Sequence, residues 1–410
     1  MEKLETVEIA DYGYDGEGVG RIGGKVVFVP FTLKNEKVKV RLADNKSSFS
    51  HAVLVDVLTE SPLRIEPFCP FFGKCGGCTY QHTLYQNEVE IKKQLLKNQL
   101  AKVGYSGEIL VNPSPREYGY RNKIRLFVGE KGLALKRRRS DKLCYVDECK
   151  ISKERINQAI ESINTFIEAG QHQKDYSEVV IRQEGDNLLV NFFKRNKTNI
   201  NYQGLYLMLG ADYGIFETYK KQTEHKIGKK DLSCVEFGLN CKFSPLSFHQ
   251  VNDEVGYNLY QMVIDNIEGK NVLNCYSGAG VLSGILAKQN RRVVGVELGR
   301  SEHQDAEILK DINNLFYLSN INGDCADVFP KLEEKFETIV IDPPRGGVSE
   351  KVIKAINEFD FKRLIYISCN SATLVRDIGR LQKLKFKKVA LFDMFARTGE
   401  YECLVILDKK

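Results

Sequence analysis

No stretch of this 410-residue sequence is long and apolar enough to span a bilayer, and the opening Met1-Glu2-Lys3-Leu4-Glu5 carries no signal-peptide pattern. Internal repeats and low-complexity tracts are also missing. Neither sign of charge dominates: the formal net charge is +6, which permits an anionic partner such as RNA without demanding one. Together these absences exclude a membrane-embedded helical protein and lead us to expect a cytoplasmic chain with no membrane partner. Cysteine, by contrast, is plentiful at 11 residues. In a reducing compartment such cysteines serve as metal ligands or catalytic groups more often than as disulfides. The length requires two or three domains.

Residues 1–60 read as a small β-barrel. Val7-Glu8-Ile9 alternates, Gly13 to Gly24 turns repeatedly, and short strands are expected at 26–29, 37–41 and 52–57. A central segment, 61–235, opens with Cys69-Pro70-Phe71-Phe72-Gly73-Lys74-Cys75-Gly76-Gly77-Cys78. Its glycines let the backbone fold tightly enough for three thiolates to converge on one point. Cys149 is the best candidate for a fourth ligand and Cys144 the second. On spacing alone, four thiolates suit tetrahedral zinc and an iron–sulfur cluster about equally. The segment also carries a helical pattern over 84–103 and a hairpin about Gly185-Asp186-Asn187. Two basic stretches stand out, Tyr118-Gly119-Tyr120-Arg121-Asn122-Lys123-Ile124-Arg125 and Lys136-Arg137-Arg138-Arg139. Arginine and lysine interleaved with tyrosine suit phosphates and stacked bases, whereas a lone basic run is more often a solvated face.

From 236 to 410 strands alternate with helices, the pattern of a doubly wound, Rossmann-like α/β fold. Strands are expected at 271–276, 291–297, 338–341 and 364–367, and helices at 281–287, 301–314 and from Thr373 to about Leu384, with a loop after Ile321-Asn322-Gly323-Asp324. The carboxyl ends of parallel strands line the ligand crevice in such sheets. Gly278 and Gly280 follow the first strand and let a ligand approach the backbone. Glu297 ends the second, where an acid accepts hydrogen bonds from ribose hydroxyls. The same layout puts Asp324 near an adenine. An adenosine-containing cofactor follows, either S-adenosylmethionine or NAD.

Two further segments, Asp342-Pro343-Pro344-Arg345-Gly346-Gly347 and Ser368-Cys369-Asn370, each follow a β-branched apolar run. The prolines fix the backbone beside Asp342. Arg345, where amino-methyltransferases usually place an aromatic, argues against a planar amine as methyl acceptor. Cys369 precedes a helix whose N-terminal dipole is expected to lower the thiol pKa. A thiolate there can add to C6 of uracil and make C5 nucleophilic enough to take a methyl group. A base must then remove the C5 proton. Glu402, in Tyr401-Glu402-Cys403-Leu404-Val405-Ile406, is the candidate.

These residues resemble the RNA 5-methyluridine methyltransferase family, in particular its iron–sulfur branch acting on 23S ribosomal RNA. The similarity covers nearly the whole chain. It implies an RNA-binding TRAM domain at 1–60, a central α+β domain at 61–235, and a class I methyltransferase domain using S-adenosylmethionine at 236–410. Cys69, Cys75, Cys78 and Cys149 match the ligands of that branch's 4Fe-4S cluster. Gln250, in Ser244-Pro245-Leu246-Ser247-Phe248-His249-Gln250-Val251-Asn252, matches a donor-contacting glutamine, and Tyr276, Glu297 and Asp342 match other donor-site positions. Cys369 matches the nucleophile and Glu402 the proton acceptor. Four positions depart from the pattern: Ser277 for cysteine, Val281 for asparagine, Ala396 for proline and Glu400 for histidine. None removes an essential chemical group. The implied activity is methylation of uracil C5 in 23S ribosomal RNA, with no obligate protein partner. Two alternatives stand beside it, a uracil-C5 methyltransferase of the transfer-RNA T-arm and a non-methylating, RNA-binding iron–sulfur protein. The cysteine block and barrel favour the ribosomal target over bacterial-type transfer-RNA enzymes.

Overall fold

The computed structural model describes residues 4–44 and 46–410; Met1, Glu2 and Lys3 of the opening segment lie outside the described residues, as does Asn45. No described helix is long and apolar enough to cross a membrane.

The N-terminal strands lie in the order Leu4–Glu8, Lys37–Leu42, Phe49–Thr59, Lys25–Val29, Gly18–Ile22 and Asp11–Tyr12. Period-two alternation turns Val7, Val27, Val29, Val38 and Val40 into one core. The Ala10 amide donates to the Val19 carbonyl at 2.8 Å, curling the sheet back on itself.

The central sheet has seven strands, running from Leu143–Tyr145 at one edge through Lys123–Gly129 and Tyr176–Glu184 to Gln222–Gly228 at the other. Helix Glu154–Ala169 covers one face with Ile156, Ile160, Ile163 and Ile167, a stripe at helical spacing. The expected hairpin is present, with Glu184 paired to Asn187 across a two-residue turn.

The C-terminal sheet has eight strands in the order Leu318–Asn322, Arg292–Glu297, Asn271–Cys275, Thr338–Ile341, Arg363–Ser368, Glu402–Lys409, Leu384–Phe392 and Leu110–Asn112. The first five are parallel neighbours, and Glu402–Lys409 enters antiparallel. Apolar cores cover both faces, so Thr338–Ile341 is buried throughout.

The structure differs from the sequence-based expectation in three places. Leu318–Asn322 is an edge strand where only a lead into a loop was expected. The helix after Cys369 spans Ser371–Ile378 and stops before Gly379; Leu384 instead opens a strand whose first residues alternate between solvent and interior. Third, packing does not follow the expected boundary at 235. Helix Tyr85–Ala101 puts Leu96 and Leu100 into the C-terminal core, Leu110–Asn112 extends the C-terminal sheet, and the hairpin Leu232–Glu236/Leu239–Phe243 straddles the boundary. The pairing of Leu110 with Ala390 is remote in sequence and leaves no local signature.

Candidate active site

Four neighbouring strands deliver their carboxyl ends to one edge. Tyr276 follows Asn271–Cys275, Glu297 ends Arg292–Glu297, Asp342 follows Thr338–Ile341 and Cys369 follows Arg363–Ser368. Glu402 arrives from the opposite direction. Because Ser368 pairs with Cys403 in antiparallel register, the next residues, Cys369 and Glu402, face each other across the sheet end.

The crevice gathers several carboxyl groups and buries them. Burial, then the carboxylates of Asp342 and Glu400, hold Glu402 well above the usual carboxylate range, and Arg345 opposes them. Glu402 Oε2 is buried and has no hydrogen-bond partner among the described residues. Burial and the neighbouring Glu297 push Asp342 up to about 7. Burial pushes the Cys369 thiol up to about 12, with Glu402 adding to the shift and Arg345 opposing it. The expected lowering by the helix N-terminus is therefore outweighed. A cation entering the crevice would oppose these shifts, because it stabilises the anions facing it.

The glycine-turn side of the crevice is fixed by backbone contacts. Glu297 accepts from the Gly278 amide at 2.9 Å and the Gly299 amide at 2.6 Å, bolting the glycine turn to the next strand. At Gly280 the backbone is left-handed (φ +80°), and a Cβ would lie 2.8 Å from that of Ala306, so glycine is required twice over. Tyr276 itself holds φ +62°, uncommon for a tyrosine. Asp324 is exposed and caps the short helix Cys325–Val328 by accepting from the Ala326 amide at 2.8 Å; its charge reaches Tyr276.

Gln250 is buried on a segment held by the central sheet. Asn122 donates from Nδ2 to the Gln250 carbonyl and from its amide to the Val251 carbonyl, both at 2.9 Å. Arg182 donates to the Ser247 carbonyl at 2.9 Å. His249 is enclosed between Glu184 at 3.2 Å and Glu236 at 2.8 Å. Burial alone would lower this imidazole, but the two carboxylates outweigh it and push it to about 10. Tyr260, on helix Asp253–Asp265, lines a pocket with Gln250 and His249, and the Asp342 carboxylate adds to the burial that raises its hydroxyl pKa. Sequence reasoning singled out neither His249 nor Tyr260, since a tyrosine on an amphipathic helix reads as core.

Cys69, Cys75, Cys78 and Cys149 are free thiols lining one pocket with Phe71, Leu135, Val146 and Ile151. The Gly77 amide donates to Cys75 Sγ at 3.3 Å. Burial pushes the Cys75 thiol to about 11, and Cys149 adds to the shifts of Cys69, Cys75 and Cys78.

The basic run is only partly open to a ligand. Arg139 pairs with Asp15 at 2.9 Å and Glu17 at 3.2 Å, and Arg138 with Glu17 at 3.6 Å, clamping the barrel to the central domain. Arg121, Lys136, Arg137 and Arg345 line a groove of about 670 Å³ that leads toward Cys369. Arg345 pairs with Glu400, and the Ala396 carbonyl accepts from Tyr120 Oη at 2.8 Å.

Residues 330–410 match the family described as tRNA (Uracil-5-)-methyltransferase, and residues 3–55 match the TRAM domain. The chain is 30% identical to an uncharacterized RNA methyltransferase of Caldanaerobacter subterraneus, over 99% of each protein. It is 29% identical to the 23S rRNA (uracil(1939)-C(5))-methyltransferase RlmD of Francisella tularensis subsp. novicida, over 100% of this chain and 97% of that one. The Pyrococcus abyssi tRNA (uracil-54, C5)-methyltransferase, solved in complex with S-adenosyl-L-homocysteine, superposes with a TM-score of 0.83 at 25% identity, over 98% of this chain and 99% of that chain. The chain is thus a TRAM-containing methyltransferase and belongs to the RNA 5-methyluridine methyltransferase family of S-adenosylmethionine-dependent enzymes.

Proposed function

We propose that this protein methylates C5 of a uracil in 23S ribosomal RNA. The observation that carries the reading is the opposition of Cys369 and Glu402 at the crevice edge, beside Asp342. Gln250, Tyr276, Glu297, Asp324 and Asp342 hold the donor. Its sulfonium charge lowers the pKa values of the anionic groups around it. The Cys369 sulfur bonds to C6 of the uracil, and C5 then takes the methyl group as S-adenosylhomocysteine leaves. Glu402 takes the C5 proton and the carbon–sulfur bond breaks, returning the thiolate. A carboxylate poised above its ordinary range suits this acceptor role. The uracil must leave its stack to reach the sulfur.

Full-length similarity to RlmD supports ribosomal RNA. The Pyrococcus abyssi structure, a tRNA enzyme, supports the transfer-RNA alternative, because it matches 98% of this chain, barrel included. A barrel therefore does not by itself select ribosomal RNA. The opposition of Cys369 and Glu402 favours methylation over the non-methylating alternative. Purified protein with labelled donor and unmodified transcripts of both RNAs separates the readings. Label in 23S RNA is expected, none is expected with Cys369→Ala, and label confined to transfer RNA would contradict the proposal.

Cys69, Cys75, Cys78 and Cys149 fit a 4Fe-4S cluster, since an all-sulfur donor set lines one apolar pocket. Such a group would clip residues 69–78 to residue 149, a structural role. Protein purified without oxygen should contain iron and sulfide, and a Cys75→Ala variant should lose the visible absorbance; zinc in a colourless protein would contradict this.

A further inference from the structure

Residues 13–17 of the barrel form a tight turn that is pressed into the rest of the molecule. The Gly16 amide donates to the Gly13 carbonyl at 2.9 Å. Gly16 has φ +75°, and a Cβ there would fall 2.1 Å from Tyr80 Oη, so the turn sits directly on the segment that follows the cysteine block. On its other side the Asp15 carbonyl lies 3.1 Å from where a Gly399 Cβ would be, just ahead of Glu402 in the chain. The ion pairs of Asp15 and Glu17 with Arg139 hold the turn from a third direction.

Wedged this way, the turn presents Tyr14 to the catalytic crevice. Tyr14 Oη donates to Asn370 Oδ1 at 2.5 Å, the atom that also accepts from the Ala372 amide at the start of the helix after Cys369. Tyr14, Arg345, Cys369, Glu400 and Tyr401 share one cavity of about 250 Å³. Tyr401 is 6% exposed and Tyr14 is 43% exposed, so of the two tyrosines lining this cavity Tyr14 is the accessible one. An extruded base that has lost its neighbours needs such a face to stack on.

We propose that the ring of Tyr14 stacks on the uracil extruded toward Cys369, which makes the barrel a wall of the base pocket and Tyr14 a substrate-binding residue. This rests on the uracil-methylation reading above. None of the residues proposed to hold the donor lines this cavity, so Tyr14 acts on the RNA and not on S-adenosylmethionine. The hydroxyl bond to Asn370 sets the ring's orientation, and stacking comes from the ring alone.

Tyr14→Ala and Tyr14→Phe separate ring from hydroxyl, with methyl transfer to an RNA substrate and adduct formation with its 5-fluorouridine counterpart as readouts. The alanine variant should raise the KM for RNA about tenfold or more and slow adduct formation, with the KM for the donor unchanged. The phenylalanine variant should stay within about threefold of native on both readouts. An alanine variant equal to native overturns the inference. So does a phenylalanine variant as impaired as alanine, because the hydroxyl bond would then be the active element. Native enzyme that forms no adduct at all would count against the uracil-methylation reading itself, whereas a native adduct with an indifferent Tyr14→Ala would count only against this inference.

Discussion

The Lys92 ammonium lies 2.6 Å from the Asp393 carboxylate and 2.7 Å from that of Glu88, and all three side chains are fully buried. The cluster extends through Tyr85, whose hydroxyl donates to Asp393 at 2.6 Å, and through the Arg397 amide, which donates to Glu88 at 2.7 Å. It roots the segment Asp393–Arg397, from which the chain runs directly into Glu402. Removing one member leaves unpaired charge without water. Lys92→Met should therefore cost about 3–5 kcal/mol, measured by urea unfolding. A loss below about 1 kcal/mol, the range of exposed pairs, would show the cluster to be solvated.

Asp342 gives donor binding a pH dependence. Its carboxyl stands at about 7 in the free protein because burial and Glu297 disfavour its charge. A sulfonium binds the carboxylate form, so S-adenosylmethionine affinity should rise with pH up to about 7, by up to about tenfold per unit, and level off above. Calorimetry across this range checks it. The slope should vanish in Asp342→Asn, and a native protein with a flat profile would remove Asp342 from the donor site.

Glu402→Gln should divide the reaction. Proton removal from C5 is lost, so turnover should fall about 10²- to 10⁴-fold, while the methylated, Cys369-linked RNA accumulates. Denaturing gels with labelled RNA report that species. A variant that turns over normally would show that another group takes the proton.

How these residues meet was only partly legible in the sequence. Asp342 and Cys369 could be read because each closes a short β-branched run, and such runs place their last residues at a sheet edge. Glu402 could be read as a candidate base in a C-terminal strand, but its place beside Cys369 could not. What puts it opposite Cys369 is the register of Ser368 with Cys403, a pairing across 35 residues that no local pattern encodes. Tyr14 and Leu110 were invisible for the same reason. Arg138 and Arg139 were legible as charge but not as a clamp, since their partners Asp15 and Glu17 lie more than a hundred residues earlier.

His249 makes stability depend on pH through a single imidazole. Its pKa is about 10 when folded against 6.5 ordinarily, a raised value. Its contribution is therefore complete below 6.5 and is lost as pH rises through 10. Unfolding measured across that window should show a decline that is absent in His249→Gln. Parallel curves for the two proteins would show the imidazole to be neutral in the fold.

Catalysis turns on whether the Cys369 sulfur bonds to a pyrimidine, and mass spectrometry of the trapped complex asks this most directly. Donor-loaded protein is incubated with RNA carrying 5-fluorouridine, whose C5 fluorine blocks the final elimination, and is then digested. A nucleotide-modified peptide is expected with the nucleotide on Cys369, and none from Cys369→Ala. Active enzyme that leaves every cysteine unmodified, or that carries the nucleotide on a different residue, would contradict this.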